Sequence, residues 1–153
     1  AVREGMQDAK RVVDFFAGCG TFTLPLASLA NVHAVEGSEA LVQALDRGWR
    51  KARGVHQVTC ERRDLFRRPL GADELNTFDA AVIDPPRAGA AAQTEALAAS
   101  ALSRVVMVSC NPVTFARDVA RLAQAGFALV WVDVVDQFRW SAHVEVAALL
   151  TRR

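Results

Sequence analysis

Short apolar, β-branched runs alternate along this chain with stretches of helical pattern, and that alternation constrains the fold more than any other feature. Residues 11–16 (RVVDFF), 31–35, 56–60, 78–83 (FDAAVI) and 104–109 (RVVMVS) read as strands. Helices are expected over 22–30, 38–52, 91–101 and 112–125. Strands separated by helices pair in parallel through right-handed crossovers. Two further runs, 127–135 and 143–150, have no helix between them and read as an antiparallel pair. The expected architecture is therefore α/β: a mostly parallel, doubly wound sheet closed by a C-terminal antiparallel pair. The charged segment 61–77, with Pro69 and Gly71, reads as connection.

Length and composition agree with one globular domain over 1–153, since 52% of the residues are hydrophobic and 23% charged. No apolar run approaches the about 20 residues that a membrane span needs. The polar start AVREGMQDAK does not read as a signal peptide. Three cysteines (Cys19, Cys60 and Cys110), odd in number and widely spaced, imply no disulfide framework. Three histidines supply no metal cluster. A reducing cytoplasm is the expected compartment. The net charge of +1 neither requires nor excludes nucleic acid. However, Arg47, Arg50, Lys51, Arg53, Arg62, Arg63, Arg67 and Arg68 crowd one stretch, either as a solvated face or as a phosphate-contacting patch.

Ligands of doubly wound sheets bind beyond the carboxyl ends of the strands, and nearly every unusual residue here follows a strand. The first strand runs into Asp14-Phe-Phe-Ala-Gly18-Cys-Gly20, whose glycines permit a sharp turn and close approach of a ligand. The third glycine of a dinucleotide fingerprint is replaced by Thr23. Asp14 would repel a pyrophosphate but suits a cationic amino group. Glu36, after the second strand, is either a ribose ligand or a turn carboxylate. Asp64, after the third, lies near an adenine or simply on the surface.

Three features carry the chemistry. Asp84-Pro85-Pro86-Arg87 holds a carboxylate stiffly at a strand end, because each proline keeps its predecessor extended. In Cys110-Asn111-Pro112, Asn111 suits a helix N-cap and Pro112 the first helical position, which puts the sulfur where negative charge is favoured. The alternative is a small packing cysteine, as Cys60 on its strand and Cys19 between glycines suggest for themselves. Glu145 lies in the apolar run HVEVAALL, on one face with His143. It needs a partner, solvent or a function.

DFFAGCGTFTLPLA, DPPRAG, SCNP and DQFRWSAHVE, in that order, resemble the bacterial RNA uracil-5-methyltransferases. The resemblance covers almost the whole chain and implies a Rossmann-like class I S-adenosylmethionine-dependent methyltransferase fold. It implies S-adenosylmethionine as cofactor, with Asp14, Gly18, Gly20 and Glu36 at cofactor-binding positions. Asp64 and Asp84 are expected beside them. By the same resemblance Cys110 is the nucleophile, Glu145 the base and Asp84 the carboxylate between uracil and cofactor. An RNA partner follows, ribosomal rather than transfer RNA, because TFTLPLA is more similar to the ribosomal-RNA members. The family has Pro where Arg139 stands and Thr near Ser141. Its members add an RNA-binding barrel and a segment with a cofactor-contacting Gln, so a longer protein is expected. Competing expectations are an amino-methyltransferase of a nucleic-acid base, a non-catalytic binding module, and a nicotinamide dehydrogenase, which Asp14 and Thr23 disfavour.

Overall fold

The computed structural model describes residues 1–136, 140 and 144–152. Seven strands form one sheet: β1 (Arg11–Phe15), β2 (Asn31–Glu36), β3 (Val58–Arg62), β4 (Ala80–Ile83), β5 (Arg104–Ser109), β6 (Ala128–Val135) and β7 (Glu145–Thr151). Their order is β3-β2-β1-β4-β5-β7-β6. The first five strands pair in parallel, and β7 runs antiparallel to both β5 and β6. The strand order reverses between β1 and β4, which is where such sheets open a crevice.

Among the described residues, six helices flank the sheet: α1 (Val2–Gly5), α2 (Thr23–Leu26), α3 (Glu39–Lys51), α4 (Ala72–Leu75), α5 (Ala91–Ala99) and α6 (Pro112–Gln124). Side chains alternate across each strand, so each buried strand feeds two cores. Val13, Phe15, Ile83, Val105 and Met107 pack with Leu75, Leu97 and Leu122 on one face. Val12, Val32, Val82 and Val106 pack with Met6 and Leu26 on the other. Both faces of the inner strands are covered, which explains why those strands read as continuous apolar runs.

The differences from expectation have local causes. The helix expected over 22–30 stops at Leu26, because the Ala27 carbonyl accepts from His56 N (2.7 Å) and the Ser28 hydroxyl donates to Pro25 O (2.7 Å). Strand β3 runs on to Arg62, inside the stretch read as connection. Its charges are satisfied sideways: Glu61 meets His33 Nε2 at 3.0 Å and Arg63 Nε at 2.6 Å. The same stretch contains α4, which starts at Gly71, where Glu74 Oε2 accepts from Gly71 N at 2.9 Å.

The two sheet edges differ. β3 carries polar and charged side chains, whereas β6 is an eight-residue apolar strand exposed along nearly its whole length. Among the described residues, no helix is long and apolar enough to cross a membrane.

Candidate active site

The end of β1 is built around Asp14. Its carboxylate is fully buried on the α2 side of the sheet. Thr23 Oγ1, at the start of α2, donates to Asp14 Oδ2 at 2.6 Å. Asp14 Oδ1 is buried with no hydrogen-bond partner. A buried carboxylate oxygen left so is costly unless a donor or cation is to meet it.

The following loop holds Glu36 from two sides. Gly18 N donates to Glu36 Oε2 (3.0 Å) and Ser38 N to Glu36 Oε1 (2.8 Å). Gly18 has φ +57° with open space where a Cβ would stand. Gly20 has φ +104°, and a Cβ there would lie 2.5 Å from Leu45 Cδ1. Thus Gly18 leaves room beside the loop, while Gly20 lets the loop lie down on α3.

A cavity of about 530 Å³ opens next to this loop, lined by Phe16, Glu36, Asp64, Phe66 and Asp84 among others. The Phe16 and Phe66 rings lie 5.5 Å apart at 52°, and Phe16 takes a positive φ of 58°. Asp64 does two things at once. It lines the cavity, and its Oδ1 accepts from Phe66 N (3.0 Å) and Arg67 N (3.2 Å), fixing the turn after β3.

A second cavity, of about 590 Å³, lies on the other side of Asp84. Asp84, Pro85, Pro86, Cys110 and Glu145 line it together with Phe22 and Val108. Cys110 and Glu145 are 35 positions apart in sequence, and topology joins them. Because β7 is antiparallel, its first residues lie beside the last of β5, with Ser109 paired to Val146. Cys110 sits just before α6, and Asn111 caps that helix by accepting from Val113 N at 3.1 Å, with Pro112 first in the helix. His143, Arg139 and Ser141 lie outside the described residues.

Two carboxyls at this end of the sheet are raised, chiefly by burial. Burial pushes the Asp14 carboxyl up to about 7, and the neighbouring charges of Asp84 and Glu36 push the same way, against the Thr23 hydrogen bonds. Burial, helped by Glu145, raises Asp84 to about 6. Carboxylates that raise one another are close enough to share a positive ligand.

The structure therefore brings Glu36, Asp64 and Asp84 to one cavity and Asp84, Cys110 and Glu145 to the next. Asp14, Gly18 and Gly20 line neither. Sequence reasoning missed Phe16 and Phe66, although the doublet Phe15-Phe16 just after a strand and an aromatic just after Asp64 were visible signals. The basic stretch separates into two places. Arg47, Arg50 and Lys51 fall on the second half of α3 with Arg53 just past it, whereas Arg62 ends β3 and Arg63, Arg67 and Arg68 follow it. Four of the eight meet a carboxylate: Arg50 meets Asp46, Arg62 meets Glu39, Arg63 meets Glu61 and Glu74, and Arg67 meets Asp64 at 3.6 Å. Cys19 is exposed on the glycine loop, and Cys60 is only half-buried on the edge strand.

The sheet order and the acid-lined end of its first strand define a Rossmann-like, class I methyltransferase domain. Solved structures agree. The chain superposes on Pyrococcus abyssi tRNA (uracil-54, C5)-methyltransferase in complex with S-adenosyl-L-homocysteine with a TM-score of 0.82. That match has 28% identity and covers 98% of this chain and 37% of the other. Magnesium protoporphyrin IX methyltransferase of Synechocystis shares the fold alone, with a TM-score of 0.70 and 17% identity over 93% of this chain and 73% of that one.

The chain belongs to the tRNA (uracil-5-)-methyltransferase family, which it matches over residues 1–153. It is 56% identical over 147 residues to an uncharacterized RNA methyltransferase of Mesorhizobium japonicum, covering 96% of this chain and 36% of the relative. It is 42% identical over 144 residues to the 23S rRNA (uracil(1939)-C(5))-methyltransferase of Chromohalobacter salexigens, covering 94% and 30% respectively. The chain thus spans about a third of the length of these curated relatives.

Proposed function

We propose that this domain methylates carbon 5 of a uridine in RNA, with S-adenosylmethionine as methyl donor and a covalent Cys110–uracil adduct as intermediate. The observation that carries the reading is the second cavity, where Asp84, Cys110 and Glu145 meet and where Asp84 also lines the neighbouring cavity. Ribosomal RNA is the favoured substrate class, supported by the 42% identity to a 23S rRNA enzyme against 28% to a tRNA enzyme.

The residues fit the cofactor. Asp14 Oδ1 is a buried acceptor without a partner, suited to the ammonium group. Glu36, pinned by Gly18 N and Ser38 N, keeps lone pairs for ribose hydroxyls. Phe16, Phe66 and Asp64 offer an apolar and polar setting for adenine. When bound, the sulfonium supplies an electrophilic methyl group.

Carbon 5 of uracil is too weak a nucleophile to take that methyl group unaided. The Cys110 thiolate adds to carbon 6, and the displaced electron pair moves through carbon 5 to the carbonyl oxygen on carbon 4 as an enolate. The enolate returns its electrons through carbon 5 to the methyl carbon, whose bond to sulfur would break with its electron pair left on the thioether of S-adenosylhomocysteine. Glu145 then removes the proton left on carbon 5, the ring double bond re-forms, and the carbon 6–sulfur bond breaks to return the thiolate. One difficult step becomes two easier ones. Asp84 stands between the two cavities and orients the ring by hydrogen bonding. The target base must be unpaired or flipped, since a stacked base is out of reach.

The test is RNA carrying 5-fluorouridine, whose fluorine cannot leave as a proton. Incubation with the complete polypeptide and S-adenosylmethionine should give a denaturation-resistant protein–RNA species, with the adduct on the peptide containing Cys110. Methylation of an exocyclic amine without any adduct would replace this reading with that of an amino-methyltransferase.

A further inference from the structure

Asp84 and Cys110 belong to different connections, the one after β4 and the one after β5, and the strand pairing between them ends at Ile83 and Met107. A joint between the DPPRAG loop and α6 does so. Asn111 Nδ2 donates to Arg87 O at 2.9 Å, and Thr114 Oγ1 donates to the same carbonyl at 3.3 Å. One turn further along the helix, Ala90 N donates to Asp118 Oδ2 at 2.9 Å. Arg117 Nη2 donates to Ala88 O at 3.3 Å, while Arg117 Nε donates to Asp118 Oδ1 at 2.9 Å. Residues 111, 114 and 118 recur at three and four positions, so they lie along one face of the helix.

Asp118 is 2% exposed, a charged side chain buried in the joint rather than on a solvated helix face. The fit around it is close. Gly89 has φ +77°, and a Cβ there would run into the Arg117 guanidinium, with Asp118 Oδ2 at 2.8 Å and Thr114 Cβ at 2.9 Å. Gly89 N in turn donates to Pro86 O at 2.8 Å, closing the turn that begins with the two prolines. The helix that carries Cys110 at its start therefore grips, over two turns, the loop that carries Asp84.

We propose that Asp118, acting through Ala90 and Arg117 and made possible by Gly89, is a positioning residue that sets the alignment of Asp84 with Cys110. It touches neither substrate nor cofactor. The proposal rests on the uridine reading above, because alignment of these two groups matters only if both act on one ring. A misplacement of about 1 Å at reacting groups costs on the order of 100-fold in rate. A fold-stabilising aspartate, by contrast, changes the amount of folded protein and leaves the folded molecules equally active.

The experiment compares wild type, Asp118→Ala, Asp118→Asn and Gly89→Ala in the complete polypeptide. It measures kcat and KM for RNA, the rate of trapping by 5-fluorouridine RNA, the Kd for S-adenosylhomocysteine by calorimetry, and thermal melting. We expect Asp118→Ala to lose about tenfold or more in both kcat and trapping rate per folded molecule, while the Kd stays within about twofold. Gly89→Ala should show the same pattern. Asp118→Asn keeps an acceptor for Ala90 N and should show a smaller loss in the same direction, which decides the matter should Asp118→Ala fail to fold. Unchanged kcat and trapping per folded molecule overturn the proposal, whatever the melting temperature does. An equal loss of S-adenosylhomocysteine affinity overturns it too, because the defect would then be general. A wild type that never forms the Cys110 adduct strikes the uridine reading itself and carries this proposal down with it, whereas a trapped wild type with unaffected variants refutes the positioning role alone.

Discussion

The two cavities on either side of Asp84 are put together in opposite ways. On the first side the hydrogen bonds that hold the acceptors are short-range, Asp14 with Thr23 and Glu36 with Gly18 and Ser38, all within 25 residues of sequence, although Asp64, Phe66 and Asp84 join the same cavity from later connections. The chemical side draws Asp84, Cys110 and Glu145 from three separate connections of the sheet, over 62 positions. Binding a small cofactor needs a few backbone-anchored acceptors, and one βαβ unit supplies them. Covalent chemistry on a base needs a nucleophile, a base and an orienting group on different sides of a ring. Only convergent strand ends deliver that. The comparison predicts that mutations on the chemical side abolish or stall turnover with the cofactor still bound, whereas mutations on the cofactor side weaken binding by graded amounts.

The largest effect is expected from Cys110→Ala, which should abolish both methylation and trapping while S-adenosylhomocysteine still binds. Residual turnover carried by Cys19 or Cys60 would break the contrast between the cavities. Next comes Glu145→Gln. A general base contributes about 10²–10⁴-fold, so turnover should fall by that amount and a methylated protein–RNA adduct should accumulate. A labelled methyl group on a denaturation-resistant band checks it. On the cofactor side, Asp14→Ala should weaken S-adenosylhomocysteine binding by about 10- to 150-fold, the span for a hydrogen bond to a charged group worth about 1.5–3 kcal/mol. Loss of Glu36 in Glu36→Gln should cost less, because an amide still accepts from ribose hydroxyls, and calorimetry orders the two. Unchanged affinity in both variants would dissolve the cofactor assignment.

The smallest effect is one of pH. Asp14 is raised by burial to about 7, and the ligand's ammonium needs it ionised. Affinity for S-adenosylhomocysteine should therefore fall about tenfold from pH 8 to pH 6, and the slope should vanish in Asp14→Asn. The sign for stability is the reverse. The native state holds the Asp14 proton that the unfolded chain has lost above about pH 4, so the ligand-free domain should lose stability as pH rises from about 4 to 7. Melting temperatures across that window, with and without ligand, test both.

The same contrast explains what was legible in the sequence. Strand β5 was read from residue 104 to residue 109 as it stands, and β1 and β6 to within one residue, because their apolar runs end at sharp turn or cap signals. Asp14, Gly18, Gly20 and Glu36 were singled out by their order along one βαβ unit, and of these Glu36 lines the first cavity beside Asp64 and Asp84. That Glu145 and Cys110 line one cavity depends on β7 inserting between β5 and β6, a long-range pairing that no local pattern encodes. Family resemblance supplied that pair where spacing could not. The role of Asp118 was illegible for the same reason: Arg117-Asp118 in a helix looks like an ordinary charged face until the loop it grips is known. Strand β3 extends further than its charge suggests because Glu61 is held by His33 of the neighbouring strand and by Arg63, and Arg62 at its end pairs with Glu39.

Strand β6 has a consequence for the colloidal behaviour of this domain. Its sequence ALVWVDVV has a single charge, Asp133, and Leu129, Val130, Val132, Val134 and Val135 are all 43–65% exposed. It lies at the sheet margin, so one row of its amides and carbonyls has no ladder partner in the sheet. A β-rich segment with little charge and no proline is the composition that nucleates strand-to-strand aggregation. Nothing among the described residues blunts this margin except Asp133 and the irregular register between Leu129 and Trp131. As an isolated fragment the domain is thus poised to precipitate edge to edge. A lysine in place of Val132 or Val134 would act as a gatekeeper, raising its solubility without touching either cavity.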